Sequence, residues 1–149
     1  MRAERVAQMM GALGLALLLG ALGFQYIGHL APCEMCHWQR WPHIAAAVIG
    51  LVVVPLWKKD GRTLAMLTVA LVAVSGLIGL YQTGMQLHIL PGPHACTAHR
   101  YVIGSGAPAP EIACDVPTWW FLGLALPAWN AILSLGGALI GAVLLVKNK

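Results

Sequence analysis

"PCEMCHWQRWPHIAAAVIGLVVVPLW", residues 32–57, decides how the chain is to be read. Its first eleven residues hold two cysteines, a histidine, an arginine and two tryptophans. From Trp41 to Trp57 there is no Asp, Glu, Lys or Arg. That run is just long enough to cross a bilayer, where a helix needs about 17–25 mostly apolar residues. Reactive groups therefore stand at the mouth of a membrane span.

Outward from this stretch the apolar pattern repeats. The 149 residues are 59% hydrophobic and 9% charged, against about 25% charged in a soluble domain. Runs free of acidic and basic residues cover 6–33, 41–57, 63–99 and 116–146. The apolar part of the third run is Leu64 to Tyr81; "PGP" and "CTAH" beyond it read as loop. The pattern predicts an all-α membrane protein, a four-transmembrane-helix bundle with helices at about 7–28, 42–57, 63–84 and 122–146. Residues 1–149 form one integral membrane domain in this reading, with loops at about 29–41 and 85–121. The first apolar run is longer than a signal-peptide core and no A-x-A site follows it, so a retained helix is expected. Small residues such as Gly136 and Gly137 are expected to let helices approach closely. The net charge of +4 does not indicate nucleic acid, because the basic residues sit in short groups between apolar runs.

Basic residues also set orientation, since they collect on the cytoplasmic side. Arg2 and Arg5 precede the first helix, Lys58, Lys59 and Arg62 link the second and third, and Lys147 and Lys149 follow the fourth. With four spans these places share one side, so both termini are expected to be cytoplasmic. All four cysteines, Cys33, Cys36, Cys96 and Cys114, then fall in the two loops on the opposite side, a compartment that permits disulfides. The tryptophans at helix ends read as interfacial anchors.

Cys33 and Cys36 form a C-x-x-C, a motif in which one thiol commonly has a depressed pKa and acts as nucleophile. Pro42 suits the first turn of a helix. The motif would then lie just ahead of a helix N-terminus whose dipole favours an anion. Arg40, four residues past Cys36, would add a cation at helical spacing. An inert Cys33–Cys36 staple would close too small a loop to stabilise much. Cys96 and Cys114, taken alone, suit an ordinary structural disulfide; facing a C-x-x-C, they suggest a relay in which disulfides are handed on. Four cysteines allow three pairings. "CEMCH" also fits the c-type haem pattern, with His37 as proximal ligand and Met85 or a loop histidine as distal. A zinc site from Cys33, Cys36 and histidines is a further possibility, although His29, His37, His43, His88, His94 and His99 follow no paired ligand spacing.

With "PCEMCHWQR", a cysteine pair in the second outer loop, "FLGLALPAW" opening the fourth helix and four spans, nearly the whole chain resembles the disulfide bond formation protein B (DsbB) family. Members of that family stand between DsbA and quinone in the system that keeps the bacterial periplasm oxidising. The resemblance implies a bacterial inner-membrane, multi-pass thiol oxidase with its cysteine loops facing the periplasm. It implies that Cys96–Cys114 accepts electrons from a thioredoxin-like partner similar to DsbA, with Cys96 forming the mixed disulfide. Cys114 then attacks Cys33, and Cys36 leaves beside a quinone (ubiquinone or menaquinone) that Arg40 helps to hold. The alternative within redox chemistry is a vitamin-K-epoxide-reductase-like enzyme, also a four-helix quinone site. Gln82, Thr83 and Gly84 stand where some members carry a quinone-binding histidine near the end of helix three, and His88 is the substitute expected here. The site is accordingly expected between Cys36, Arg40 and the outer end of helix three.

Overall fold

A computed structural model of the chain describes residues 2–57, 60–93, 96 and 112–147. His94, His99, Lys58, Lys59 and Lys149 lie outside the described residues. Four helices, each long and apolar enough to cross a membrane, make up the bundle: α1 (Ala3–Tyr26), α2 (Glu34–Leu56), α3 (Gly61–Gln86) and α4 (Leu126–Lys147). Before α4 a two-residue strand β1 (Trp120–Phe121) turns back on β2 (Leu124–Ala125). Leu122 and Gly123 both adopt positive φ in the turn, the backbone that a tight two-residue hairpin requires. That hairpin takes up residues that the apolar pattern assigns to the fourth helix.

The bundle is apolar outside as well as inside. Leu19, Leu77 and Leu139 are each more than half exposed on the chain, as expected of helices solvated by lipid. α3 packs most extensively on α4, then on α2 and α1. At the end that carries the N-terminus, the core is Val6, Ala7 and Met10 of α1 with Ala46, Val54, Ala65, Val72, Ala138 and Leu145. Small side chains there bring backbones together. A Cβ on Gly11 would lie 3.0 Å from the Gly50 Cα, and one on Gly50 would run into the Ala7 carbonyl. Of the two glycines singled out on α4, Gly137 meets Leu13 of α1, whereas Gly136 faces open space.

The largest departure from the sequence pattern is the start of α2, at Glu34 rather than near 42. Cys33 is its N-cap, with extended backbone (φ −81°, ψ 170°), and Glu34 places a negative charge in the first turn. Pro42 lies inside the helix and removes the N–H that would bond the Trp38 carbonyl. In lipid a broken helix would leave many more backbone groups unpaired, so the helix runs through the proline. A π turn at Ile49–Val53 follows, where Gly50 crosses α1, and Pro55 stands just past it. The first cysteine loop is thereby shortened to the residues between Tyr26 and Glu34.

Candidate functional site

The extension of α2 places Cys36, Gln39, Arg40 and His43 on one face of a helix, at spacings of three, four and seven. This face looks into the bundle at the end opposite the termini. There Cys33, Cys96 and Cys114 are buried together with Met35 and Met85, and Cys36 packs against them. All four cysteines are free thiols in this structure.

Within the cluster the sulfurs are ordered. Cys36 hydrogen-bonds with Cys33, Cys33 with Cys114, and Cys114 with Cys96. The backbone N–H of Cys36 donates to the Cys33 sulfur at 3.3 Å, the capping bond of α2. The backbone N–H of Cys114 donates to the Cys96 carbonyl at 2.8 Å, which ties the two cysteines of the second loop together. Gln82 of α3 joins both pairs: its Nε2 donates to Cys33 Sγ at 3.1 Å and to the Cys114 carbonyl at 3.3 Å. Gln86, one turn further, donates to the same carbonyl.

Protonation follows from this crowding. The hydrogen bond with Cys114, joined by burial, raises the Cys33 thiol above its ordinary range, against an opposing hydrogen bond with Cys36. Burial raises Cys96, against its hydrogen bond with Cys114. The depressed pKa expected of a C-x-x-C is therefore not found at Cys33 when all four sulfurs are thiols: a thiolate there would displace a shared proton and lose its solvation.

A polar chain leads away from the sulfurs into the membrane-spanning core. Gln39 Nε2 donates to Gln82 Oε1 (2.6 Å), and Asn130 Nδ2 donates to Gln39 Oε1 (2.7 Å). His43 Nε2 meets both Asn130 Oδ1 (3.0 Å) and Ser75 Oγ (2.9 Å). Ser134 donates to Asn130, and Ser75 donates to the Gln39 carbonyl. The chain ties α2, α3 and α4 together. Interhelical hydrogen bonds in membranes contribute on average only about 0.6 kcal/mol each, so the chain fixes side-chain positions more than it stabilises the bundle. Its members are visible in the sequence only as isolated polar residues in apolar runs. The one signal is their helical spacing: Gln39 and His43, Ser75 and Gln82, Asn130 and Ser134.

On the far side of Cys36 lies a cavity of about 240 Å³. Its walls are Leu17, Gly20 and Phe24 of α1, Cys36, Gln39, Arg40 and His43 of α2, and Leu126, Trp129 and Asn130 of α4. The third helix contributes no wall to this cavity. A smaller cavity of about 40 Å³ touches Cys33, Cys36 and Gln82 on the other side. Arg40 Nη1 donates to Gln25 Oε1 at 2.6 Å, while Arg40 Nε is buried with no partner among the described residues. His88 lines neither cavity. It is exposed, at φ 58°, just past the end of α3. The next two N–H groups return to the Gly84 carbonyl, so its position is that of a left-handed helix stop. His37 is exposed on α2.

Sulfurs lined up within hydrogen-bonding reach have one characteristic reaction, the passing on of disulfides, and here it is set into the end of a membrane bundle. The class is that of multi-pass membrane thiol:disulfide oxidoreductases. Residues 3–144 match the model of the family described as Disulfide bond formation protein DsbB, and the chain belongs to that family. It is 30% identical over 145 residues to Disulfide bond formation protein B of Cupriavidus metallidurans, covering 90% of this chain and 87% of that one. It is 31% identical over 153 residues to the protein of that name from Dechloromonas aromatica, covering 94% and 88%. The protein of that name from Idiomarina loihiensis is 31% identical over 149 residues, covering 90% and 80%. No solved structure matches the chain.

Proposed function

We propose that this chain reoxidises a periplasmic thioredoxin-like dithiol protein, similar to DsbA, and delivers the electrons to membrane quinone at the cavity beside Cys36. The observation that carries the proposal is the order of the sulfurs, Cys36–Cys33–Cys114–Cys96, with the cavity at one end only. A partner thiolate attacks Cys96 of a Cys96–Cys114 disulfide, and Cys114 leaves as a thiolate. The partner's second thiol then attacks the mixed disulfide, which frees Cys96 and leaves the partner oxidised. Cys114 attacks Cys33 of a Cys33–Cys36 disulfide, and Cys36 leaves as a thiolate at the cavity wall.

The residues around that cavity suit a quinone ring. Its walls are mostly apolar, its size falls just under the roughly 300–1,000 Å³ of drug-sized sites, and Arg40 offers an N–H with no partner among the described residues. When bound, quinone would supply a two-electron acceptor. Arg40 stabilises the Cys36 thiolate by its charge, and the α1 and α4 side chains keep water from it. The cysteine end of the bundle faces the periplasm of a bacterial inner membrane in this reading, because Arg2, Arg5 and Lys147 lie at the opposite end.

The test is non-reducing electrophoresis of single-cysteine variants mixed with a thioredoxin-like partner. Cys114→Ala, given the partner in its disulfide form, should accumulate an adduct through Cys96, whose thiolate attacks that disulfide. Cys36→Ala, which keeps the Cys96–Cys114 disulfide, should still form the adduct with the reduced partner while failing to reduce quinone. An adduct that persists without Cys96 but vanishes without Cys33 contradicts the order.

A further inference from the structure

We propose that His43 is the hydrogen-bond acceptor of this cavity for a hydroxyl group of the bound ring, so that the site discriminates between the reduced, hydroxyl-bearing form and the oxidised, carbonyl-bearing form. The inference rests on reading the cavity as the quinone site, and it concerns a residue whose place in the sequence suggests only an interfacial histidine.

The tautomer of His43 follows from the polar chain. The Cys114 carbonyl can only accept, so the Gln82 group facing it is the amide nitrogen. Gln82 Oε1 then accepts from Gln39 Nε2, and Gln39 Oε1 accepts from Asn130 Nδ2. Asn130 Nδ2 also reaches the Ser75 carbonyl at 3.2 Å, which fixes the same amide orientation independently. Asn130 Oδ1 is therefore the atom facing His43 Nε2. The Ser75 hydroxyl proton is committed to the Gln39 carbonyl at 2.8 Å. Both neighbours of Nε2 are acceptors, so Nε2 carries the proton and Nδ1 of the neutral ring is a bare lone pair.

That Nδ1 is buried and has no partner among the described residues. His43 is 3% exposed, and it lines the cavity. The Gln39 and Asn130 amides that share the lining are engaged with each other and with their neighbours. The two buried groups left over are thus opposite in kind. Arg40 Nε–H can only donate and His43 Nδ1 can only accept. A ring carbonyl satisfies Arg40 but not His43; a ring hydroxyl satisfies His43.

The experiment uses the full-length protein in lipid nanodiscs without oxygen, titrated with decylubiquinone and with its two-electron-reduced form. Binding is read by quenching of tryptophan fluorescence, since Trp129 lines the cavity. His43→Gln keeps a donor where Nε2 stands and leaves no acceptor at the position of Nδ1. It should weaken the reduced form about ten-fold relative to the oxidised one, the effect of leaving a buried hydroxyl unpaired. His43→Asn, whose Oδ1 can stand in for Nδ1, should restore most of the preference. Equal changes for both forms in His43→Gln overturn the inference while leaving the quinone site intact. Absence of saturable binding of either form to the wild type overturns both. A measurement without any substitution serves if the variants do not fold. The dimethyl ether of the reduced ring, which has no hydroxyl to donate, should bind the wild type about ten-fold more weakly than the reduced form, and equal binding overturns the inference.

Discussion

The two ends of the bundle are built on different principles. At the end carrying the termini, α1 and α2 touch through Gly11, Gly50 and Ala7, and the core is alanine, valine and a few longer apolar side chains. Contacts of that kind have no direction. At the cysteine end, Gln82, Gln39, Asn130 and His43 link three helices through bonds that each accept one orientation. The first arrangement depends on how closely backbones approach, and the second on where individual atoms point. Lipid offers no hydrophobic drive for helices to associate, so close packing supplies the cohesion. Chemistry among four sulfurs needs fixed positions, which the polar chain supplies.

Substitutions should separate the two ends, most strongly at Gly50. Gly50→Leu drives a side chain into the α1 backbone and should destabilise the bundle by about 3 kcal/mol, at the upper end for overpacking. Thermal unfolding in detergent measures this, and thiol exchange per folded molecule should be unchanged. Gln82→Leu should act on the chemistry as well as on stability. It leaves Gln39 Nε2 and the Cys114 carbonyl without the Gln82 amide, at a cost of about 1–3 kcal/mol. It should also slow transfer from Cys114 to Cys33 about ten-fold in stopped-flow kinetics, because both pairs lose their shared positioning group.

A smaller difference should appear with pH. Cys33 and Cys96 are raised in the folded, fully reduced protein. As pH rises through about 8.5, the ordinary cysteine value, unfolded chains release protons that the folded form still holds. Stability of the reduced protein should therefore fall as pH climbs from that value toward the raised folded pKa values. Denaturation of the disulfide form, which has no such thiols, should lack this slope.

Much of this division is legible in the sequence. Charge-free runs mark four spans, and the cysteines collect at the end opposite most of the basic residues. The start of α2 is harder to place. Pro42 suits a first turn by a rule drawn from soluble proteins, and lipid overrides it. Starting the helix there hides the common face of Cys36, Gln39, Arg40 and His43, and with it the polar chain. The walls from α1 and α4 come from packing between segments far apart in sequence, which no local pattern records. His88 is a histidine near the right helix end, yet its geometry is that of a helix stop.

The adjacency of Cys33 and Cys114 is the contact on which the relay depends, and disulfide mapping of two double variants tests it directly. In Cys36→Ala/Cys96→Ala only Cys33 and Cys114 remain; mild oxidation followed by peptide mass spectrometry should find them bonded to each other. In Cys33→Ala/Cys114→Ala the remaining Cys36 and Cys96 occupy the ends of the series and should stay as two free thiols under the same conditions. Cross-linking of Cys36 to Cys96 at a comparable rate, or a Cys33–Cys114 pair that stays reduced, would contradict the order of the sulfurs.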